Sequence, residues 1–387
     1  MIGKNWGIKH VGPALLVGVL ALFFFLPVAA GQTIRDLPPP PPAPTPKPTP
    51  KPTPPPEPKA EDLDVVRVSS NLVMVPVSVV SPNGEAVHGL QVPDFRLEEQ
   101  GRQQEISGIG NPEQVPLDIA LLFDVSSSVS QKGFFQFQQA AAARFLKQVM
   151  KPGDRAAVFT ISDQPRMVQP LASSETSAAK ILTIPAATTS IPTAFYDTVS
   201  AAANYLMTDS DDRHRRVVLV ISDGDDNFSN LVRESSLAEY RATQKSDAPA
   251  SAARSNLAIR KQRAVGEVQK HVQKADAAFY AINPGGPSVR LNQISMNAQN
   301  SMQSIAESTG GTAFIPNGEQ DLERVFNEIA AELRGQYLLQ YYSNSEAAPG
   351  QFRTIKVGVP AHPEYRIRAR QGYYPKGENP KAVGRKP

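Results

Sequence analysis

The 387-residue chain contains no cysteine. That excludes a disulfide framework, thiolate-ligated metal sites, a cysteine nucleophile and attachment to lipid through an N-terminal cysteine. Histidine is scarce: His10, His88, His214, His271 and His362 stand apart, without HExxH or any paired spacing. Zinc-hydrolase chemistry therefore has no support, and each histidine reads as solvated or singly hydrogen-bonded. No GxSxG elbow is present, which removes the usual setting of a serine hydrolase. Surplus charge is lacking as well. There are 40 basic and 37 acidic residues; without Lys4 and Lys9, which fall in the leader described next, 38 basic residues remain. Such balance argues neither for nor against nucleic acid as a partner.

Proline, by contrast, is abundant and concentrated. The stretch from Pro38 to Pro58 holds 14 of the 36 prolines, so it reads as an extended polyproline spacer rather than a packed segment. At about 3.1 Å per residue it would reach roughly 65 Å. Ahead of it, Lys4 and Lys9 precede a mainly apolar run from Val11 to Val28, and Val28-Ala29-Ala30 supplies small residues for cleavage before Gly31. This reads as a secretory signal peptide, the alternative being an uncleaved membrane anchor. The chain is thus expected to be exported: periplasmic, cell-surface or extracellular.

The remainder alternates in character. Residues 61–115 are β-rich: Asn71 to Val79 alternates imperfectly, Pro82-Asn83-Gly84 supplies a turn, and Phe95–Glu98 and Gln104–Ser107 flank Gln100-Gly101 as a hairpin. Pro76, inside the first run, predicts an edge strand or a bulge. Residues 116–334 then repeat strand and helix. Apolar runs at Leu117–Asp124, Arg155–Ile161, Arg216–Ser222 and Ala277–Ile282 read as buried strands, with a short edge strand at Met167–Gln169. Helical spacing marks 134–150, 178–184, 194–206, 292–308 and 321–333. Repeated βα units imply an α/β fold with a doubly wound, mostly parallel sheet. Residues 230–274 read as a helical insertion, whose Arg254, Arg260, Lys261, Arg263, Lys270 and Lys274 form a solvated basic face; no interleaved aromatics suggest nucleic acid. Residues 335–375 form a C-terminal β extension, and 376–387 a basic disordered tail.

The most informative stretch is Leu117 to Ser130, LDIALLFDVSSSVS. A buried strand ends abruptly in Asp124-Val125-Ser126-Ser127-Ser128. In open α/β sheets this edge is where ligands bind, so Asp124, Ser126 and Ser128 are positioned to aim hard oxygen atoms at a cation. The two serines also suit N-capping of the following helix.

The DxSxS pattern resembles the metal-ion-dependent adhesion site (MIDAS) of von Willebrand factor A domains, a Rossmann-like α/β family. Thr193 and Asp223 match its second and third loops. The β-rich flank and the closing LRGQYLLQYY resemble bacterial secreted proteins of that family, and the similarity runs from about Val65 to Pro375. In the second loop Ser190-Ile191-Pro192-Thr193 departs from the common Gly-Gly-Thr. The resemblance implies that Ser126, Ser128 and Thr193 hold a divalent cation through hydroxyls, with Asp124 and Asp223 binding directly or through water. Mg²⁺ is the first expectation, Mn²⁺ and Ca²⁺ the alternatives. An acidic side chain from a protein partner would take the open position. Asp225 and Asp226 read as a solvated acidic loop, or else as ligands of a second ion. The leading expectation is an exported, metal-dependent protein-binding module without enzymatic activity. A structural envelope protein with an incidental metal site, or a serine-dependent hydrolase, would be the alternatives.

Overall fold

The computed structural model describes residues 72–126, 135–233, 237–286, 293–345 and 350–375. The segments read as a signal peptide, a proline-rich spacer and a basic tail, together with Ser128, lie outside the described residues. In chain order the elements are β1 (Leu72–Val80), β2 (Arg96–Glu99), β3 (Arg102–Gln104), β4 (Ile106–Gly110), β5 (Leu117–Asp124), α1 (Phe135–Val149), β6 (Arg155–Ile161), β7 (Arg166–Ala172), α2 (Ser174–Leu182), α3 (Phe195–Asp209), β8 (Arg215–Ile221), α4 (Leu237–Gln244), α5 (Pro249–Lys274), β9 (Ala277–Ile282), α6 (Gln293–Thr309), β10 (Ala313–Phe314), α7 (Glu319–Gly335), β11 (Tyr337–Tyr342), β12 (Arg353–Gly358), β13 (Arg366–Ala369) and β14 (Gly372–Tyr373).

The apolar runs become the inner strands of a six-stranded sheet in the order β10-β9-β8-β5-β6-β7. All pairs are parallel except β6 with β7, so the edge strand after Ile161 turns back on its neighbour. Every residue of β5 is buried, as its unbroken apolar character requires for a strand covered on both faces. Phe145 of α1 and Phe326 of α7 pack together on one face, their ring centroids 5.1 Å apart. Phe195 of α3, Val268 of α5 and Ile305 of α6 cover the other. The doubly wound α/β expectation is met. Because β6 lies to one side of β5 and β8 to the other, the C-terminal end of β5 is a topological switch point, and Asp124 occupies it.

Within the segment read as an insertion, α5 buries Ala264, Val268 and Val272. Its second half belongs to the core, while α4 and the first half of α5 leave Leu237, Tyr240, Leu257 and Ile259 exposed. The basic face is partly engaged. Lys261 Nζ lies 3.1 Å from Asp225 Oδ1, Arg260 Nε donates to the Val232 carbonyl at 2.9 Å, and the Lys274 ammonium sits over the Tyr374 ring.

The two terminal β segments combine. One sheet has the order β13-β1-β11-β4, the other β14-β12-β2-β3, and Val75, Val77, Leu97, Leu339, Tyr341 and Ile355 share one core between them. Two expectations are corrected here. β1 is an inner strand, not an edge, despite Pro76. The β13 ladder begins only at Val77, and on that side the Met74 carbonyl is taken by Arg370 Nη2 at 2.7 Å, so the missing Pro76 N–H has no ladder partner to lose. The second arm of the hairpin also divides. Residues 102–104 pair with β2 across Gln100 (φ 51°) and Gly101 (φ 74°), whereas 106–110 cross to β11 in the other sheet.

Candidate metal centre

Three loops converge at the C-terminal edge of the parallel sheet, joined by their own hydrogen bonds. In the first, the Asp124 carboxylate is fully buried at the end of β5. Oδ1 accepts from the Ser126 N–H at 2.8 Å and Oδ2 from the Ser222 hydroxyl at 2.5 Å. Ser126 is itself buried, and the Val125 N–H donates to the Ile161 carbonyl at 3.2 Å, which holds the first turn of the loop against β6. Burial pushes the Asp124 carboxyl up to about 6, and the negative charge of Asp223 adds to the shift; the bonds from Ser126 and Ser222 oppose it.

The third loop leaves β8 through Ser222-Asp223-Gly224. The Ser222 hydroxyl donates to Asp124 and accepts from the Gly224 N–H at 3.0 Å, so one side chain links the ends of β5 and β8. Gly224 has φ 75°, and a Cβ there would lie 2.8 Å from the Met302 thioether, so glycine suits both the turn and the space. Asp223 is half-buried, and its Oδ1 lies 3.3 Å from the Asp225 N–H that donates to it.

The second loop is held by the third. The Thr193 N–H donates to Asn227 Oδ1 at 2.9 Å, and its carbonyl accepts from the N–H groups of Asn227 and Phe228, each at 3.1 Å. Thr193 therefore has a backbone fixed on both sides without the Gly-Gly that commonly precedes it. Its side chain is buried. The structure thus brings Asp124, Ser126, Thr193 and Asp223 to one edge; Ser128 falls outside what it describes.

Asp226 corrects a further expectation. Rather than lying in solvent, it is buried and accepts from the Tyr196 N–H at 2.8 Å, the Phe228 N–H at 3.1 Å, the Ser229 N–H at 3.0 Å and the Ser229 hydroxyl at 2.6 Å. Tyr196 lies in the first turn of α3, whose Ala194 cap offers no side-chain acceptor, so Asp226 and Ser229 (to the Asp197 N–H, 3.0 Å) satisfy the helix end from another loop. Burial raises the Asp226 carboxyl above its ordinary value. Ser222, Asn227 and Ser229 do not stand out in the sequence, where Asp226 reads as solvated or as a ligand of a second ion. The run DGDDNFS was a readable signal, since Asp, Asn and Ser after a strand commonly bond local backbone groups.

The donor set suits a hard divalent cation. Asp124 has only neutral hydrogen-bond donors among the described residues, a second carboxylate follows β8, and hydroxyls stand on two loops. A buried carboxylate raised by burial and by a neighbouring negative charge is the environment that a cation relieves. Among the described residues no group of three or more His, Cys, Asp or Glu could by itself hold a metal ion, so hydroxyl, carbonyl or water oxygen would have to complete the coordination here. No described histidine serves these serines: His214 bonds Asp118 at the opposite end of β5, His362 stacks on Tyr365, His88 adjoins Gly335 and His271 lies on α5.

No curated protein matches the chain. Solved structures are similar at low identity. A von Willebrand factor type A protein from Catenulispora acidiphila is 14% identical over 70% of this chain and 52% of its own, with a TM-score of 0.40. The vWF domain of the pilus tip protein Mfa5 from Porphyromonas gingivalis is 15% identical over 60% of this chain and 98% of its own, with a TM-score of 0.40. Proximal thread matrix protein 1 from the mussel byssus, solved with a zinc-occupied MIDAS motif, is 16% identical over 60% of this chain and 48% of its own, again with a TM-score of 0.40. The chain spans about half the length of the byssus structures it matches. The family model for the von Willebrand factor type A domain matches residues 119–225, from β5 to the third loop, and the α/β fold is of that type.

Proposed function

We propose that the chain is an exported protein-binding module whose Asp124, Ser126, Ser128, Thr193 and Asp223 hold a divalent cation, Mg²⁺ in the first instance. The observation that supports it most is the buried Asp124 carboxylate, bonded only to neutral donors among the described residues and tied through Ser222 to the loop that bears Asp223. When bound, the cation supplies an electrophilic position that accepts a carboxylate oxygen from a partner. Ser126 and Thr193 contribute neutral hydroxyl oxygen in place of further carboxylates, so Asp124 and Asp223 are the only anionic groups of the proposed set and the cation stays electrophilic enough to take a partner's carboxylate. Asp226, Asn227 and Ser229 fix the loops that present those hydroxyls. The sequence of the first 60 residues supports export and a proline-rich spacer ahead of the module. Among the described residues no helix is long and apolar enough to cross a membrane.

Affinity capture with the full chain tests this reading. Partners retained in Mg²⁺ should be released by EDTA and absent from captures with Asp223→Ala. A partner that stays bound through both treatments would instead support a structural envelope role with an incidental metal site.

A further inference from the structure

Beside the three loops lies a groove of about 730 Å³, within the size range of sites that enclose small ligands. Its position is fixed by the candidate centre itself. Val125 in its wall sits between Asp124 and Ser126, Pro192 precedes Thr193, and Phe228 donates its N–H to the Thr193 carbonyl at 3.1 Å. Val168 of β7 lines it too, with Ile184 and Ile191 from residues 183–194. Those twelve residues join α2 to α3 without helix or strand, a length at which connecting loops usually have a function. The start of that loop is anchored. Gln139 Nε2 donates to the carbonyls of Ile181 at 2.7 Å and Ile184 at 2.8 Å, and Ile184 is buried.

The charges around the groove select among occupants. Arg166 and Lys180 line it with one acid, Asp163, which pairs with Arg166 at 3.4 Å; Lys180 has no ion pair among the described residues. The balance is positive, so an acidic segment is favoured over a basic one. We infer that the groove seats an apolar side chain adjacent to the acidic residue of a partner's extended segment, so that the recognised unit is a carboxylate and an apolar neighbour together. The inference rests on the metal-centre reading above, which supplies the carboxylate's position.

The test uses the full chain with methyl-labelled isoleucine and valine in Mg²⁺. The probes are short blocked peptides Gly-Leu-Asp-Gly, Gly-Asp-Leu-Gly and their alanine counterparts, followed by methyl NMR. At least one leucine peptide should bind about fivefold or more tighter than its alanine counterpart, as expected for partial burial of a leucine side chain. Only leucine peptides should shift the Val168, Ile184 and Ile191 methyls, and EDTA should abolish both effects. Ala187→Phe, which places a bulky ring at the groove wall, should bring the leucine peptides down to the alanine level. Magnesium-dependent binding of equal strength for leucine and alanine peptides would overturn the groove while leaving the metal reading standing. So would a titration in which Mg²⁺ binds and no peptide does. Leucine-selective methyl shifts that persist in EDTA would make the groove an independent apolar site and overturn the coupling. Absence of any Mg²⁺ binding would remove the metal reading, and this inference with it.

Discussion

At pH 7.5 and free of metal, Asp124→Asn should be more stable than the wild type by up to about 3 kcal/mol, from a carboxyl raised from 3.8 to about 6 at roughly 1.4 kcal/mol per pH unit. Asparagine removes the buried charge and keeps the Ser126 N–H bond at Oδ1, while its Nδ2 reverses the Ser222 bond and leaves the Ser222 O–H to find another acceptor, so about 3 kcal/mol is the upper bound of the gain. The sign follows from the direction of the shift. A carboxyl whose folded-state value is raised contributes fully below its unfolded value, and that contribution is lost as pH rises through about 6. Urea unfolding in EDTA should therefore give nearly equal stabilities near pH 4 and a widening gap up to pH 7.5. Saturating Mg²⁺ should then favour the wild type, because binding to the folded state alone stabilises it. Parallel pH profiles for the two proteins in EDTA would contradict the buried-charge account.

Gly311→Ala should destabilise the fold by more than about 4 kcal/mol, in the range reserved for changes that the structure cannot absorb. A Cβ at Gly311 would lie 2.0 Å from the Phe279 carbonyl oxygen and 2.7 Å from its carbon. Both are backbone atoms of β9, an inner strand whose Phe279 is wholly buried, so neither neighbour can yield. Gly266, on α5, is the control. Nothing lies within 4 Å of its Cβ position, so Gly266→Ala should stabilise the protein by roughly 0.5–1 kcal/mol through helix propensity. Thermal melts followed by circular dichroism would separate the two. A small effect at Gly311 would mean that the turn before β10 does not approach β9 as closely as described.

Much of the parallel sheet was legible because its strands are apolar on both faces. β6 and β9 match their expected bounds, and β8 is displaced by one residue, since an unbroken apolar run has little freedom in where it ends. α2 starts earlier than its apolar spacing suggested because the Ser173 hydroxyl accepts from the Thr176 N–H, a cap that the run Ser173-Ser174-Glu175-Thr176 encodes. The terminal β segments were harder. Whether Pro76 interrupts a ladder depends on where β13 begins, nearly 300 residues away, which no local rule contains. The same holds at the candidate centre. Asp124 and Asp223 end apolar strands and stand out, whereas the role of Asp226 depends on Tyr196, 30 residues distant, reaching it in space. Periodicity reports burial; it does not report which loop caps which helix.

The central claim is that one divalent cation is held by the loops at the end of β5, β8 and the residues before α3. Titration of the metal-free full chain with Mn²⁺, with free ion followed by electron paramagnetic resonance, measures this directly. One Mn²⁺ should bind per chain, displaceable by Mg²⁺, and Asp124→Ala, Asp223→Ala and Thr193→Val should each weaken it by about tenfold or more, the scale of losing a ligand or its support. A wild-type chain that takes up no Mn²⁺ at millimolar concentration, or variants that bind it as the wild type does, would contradict the account.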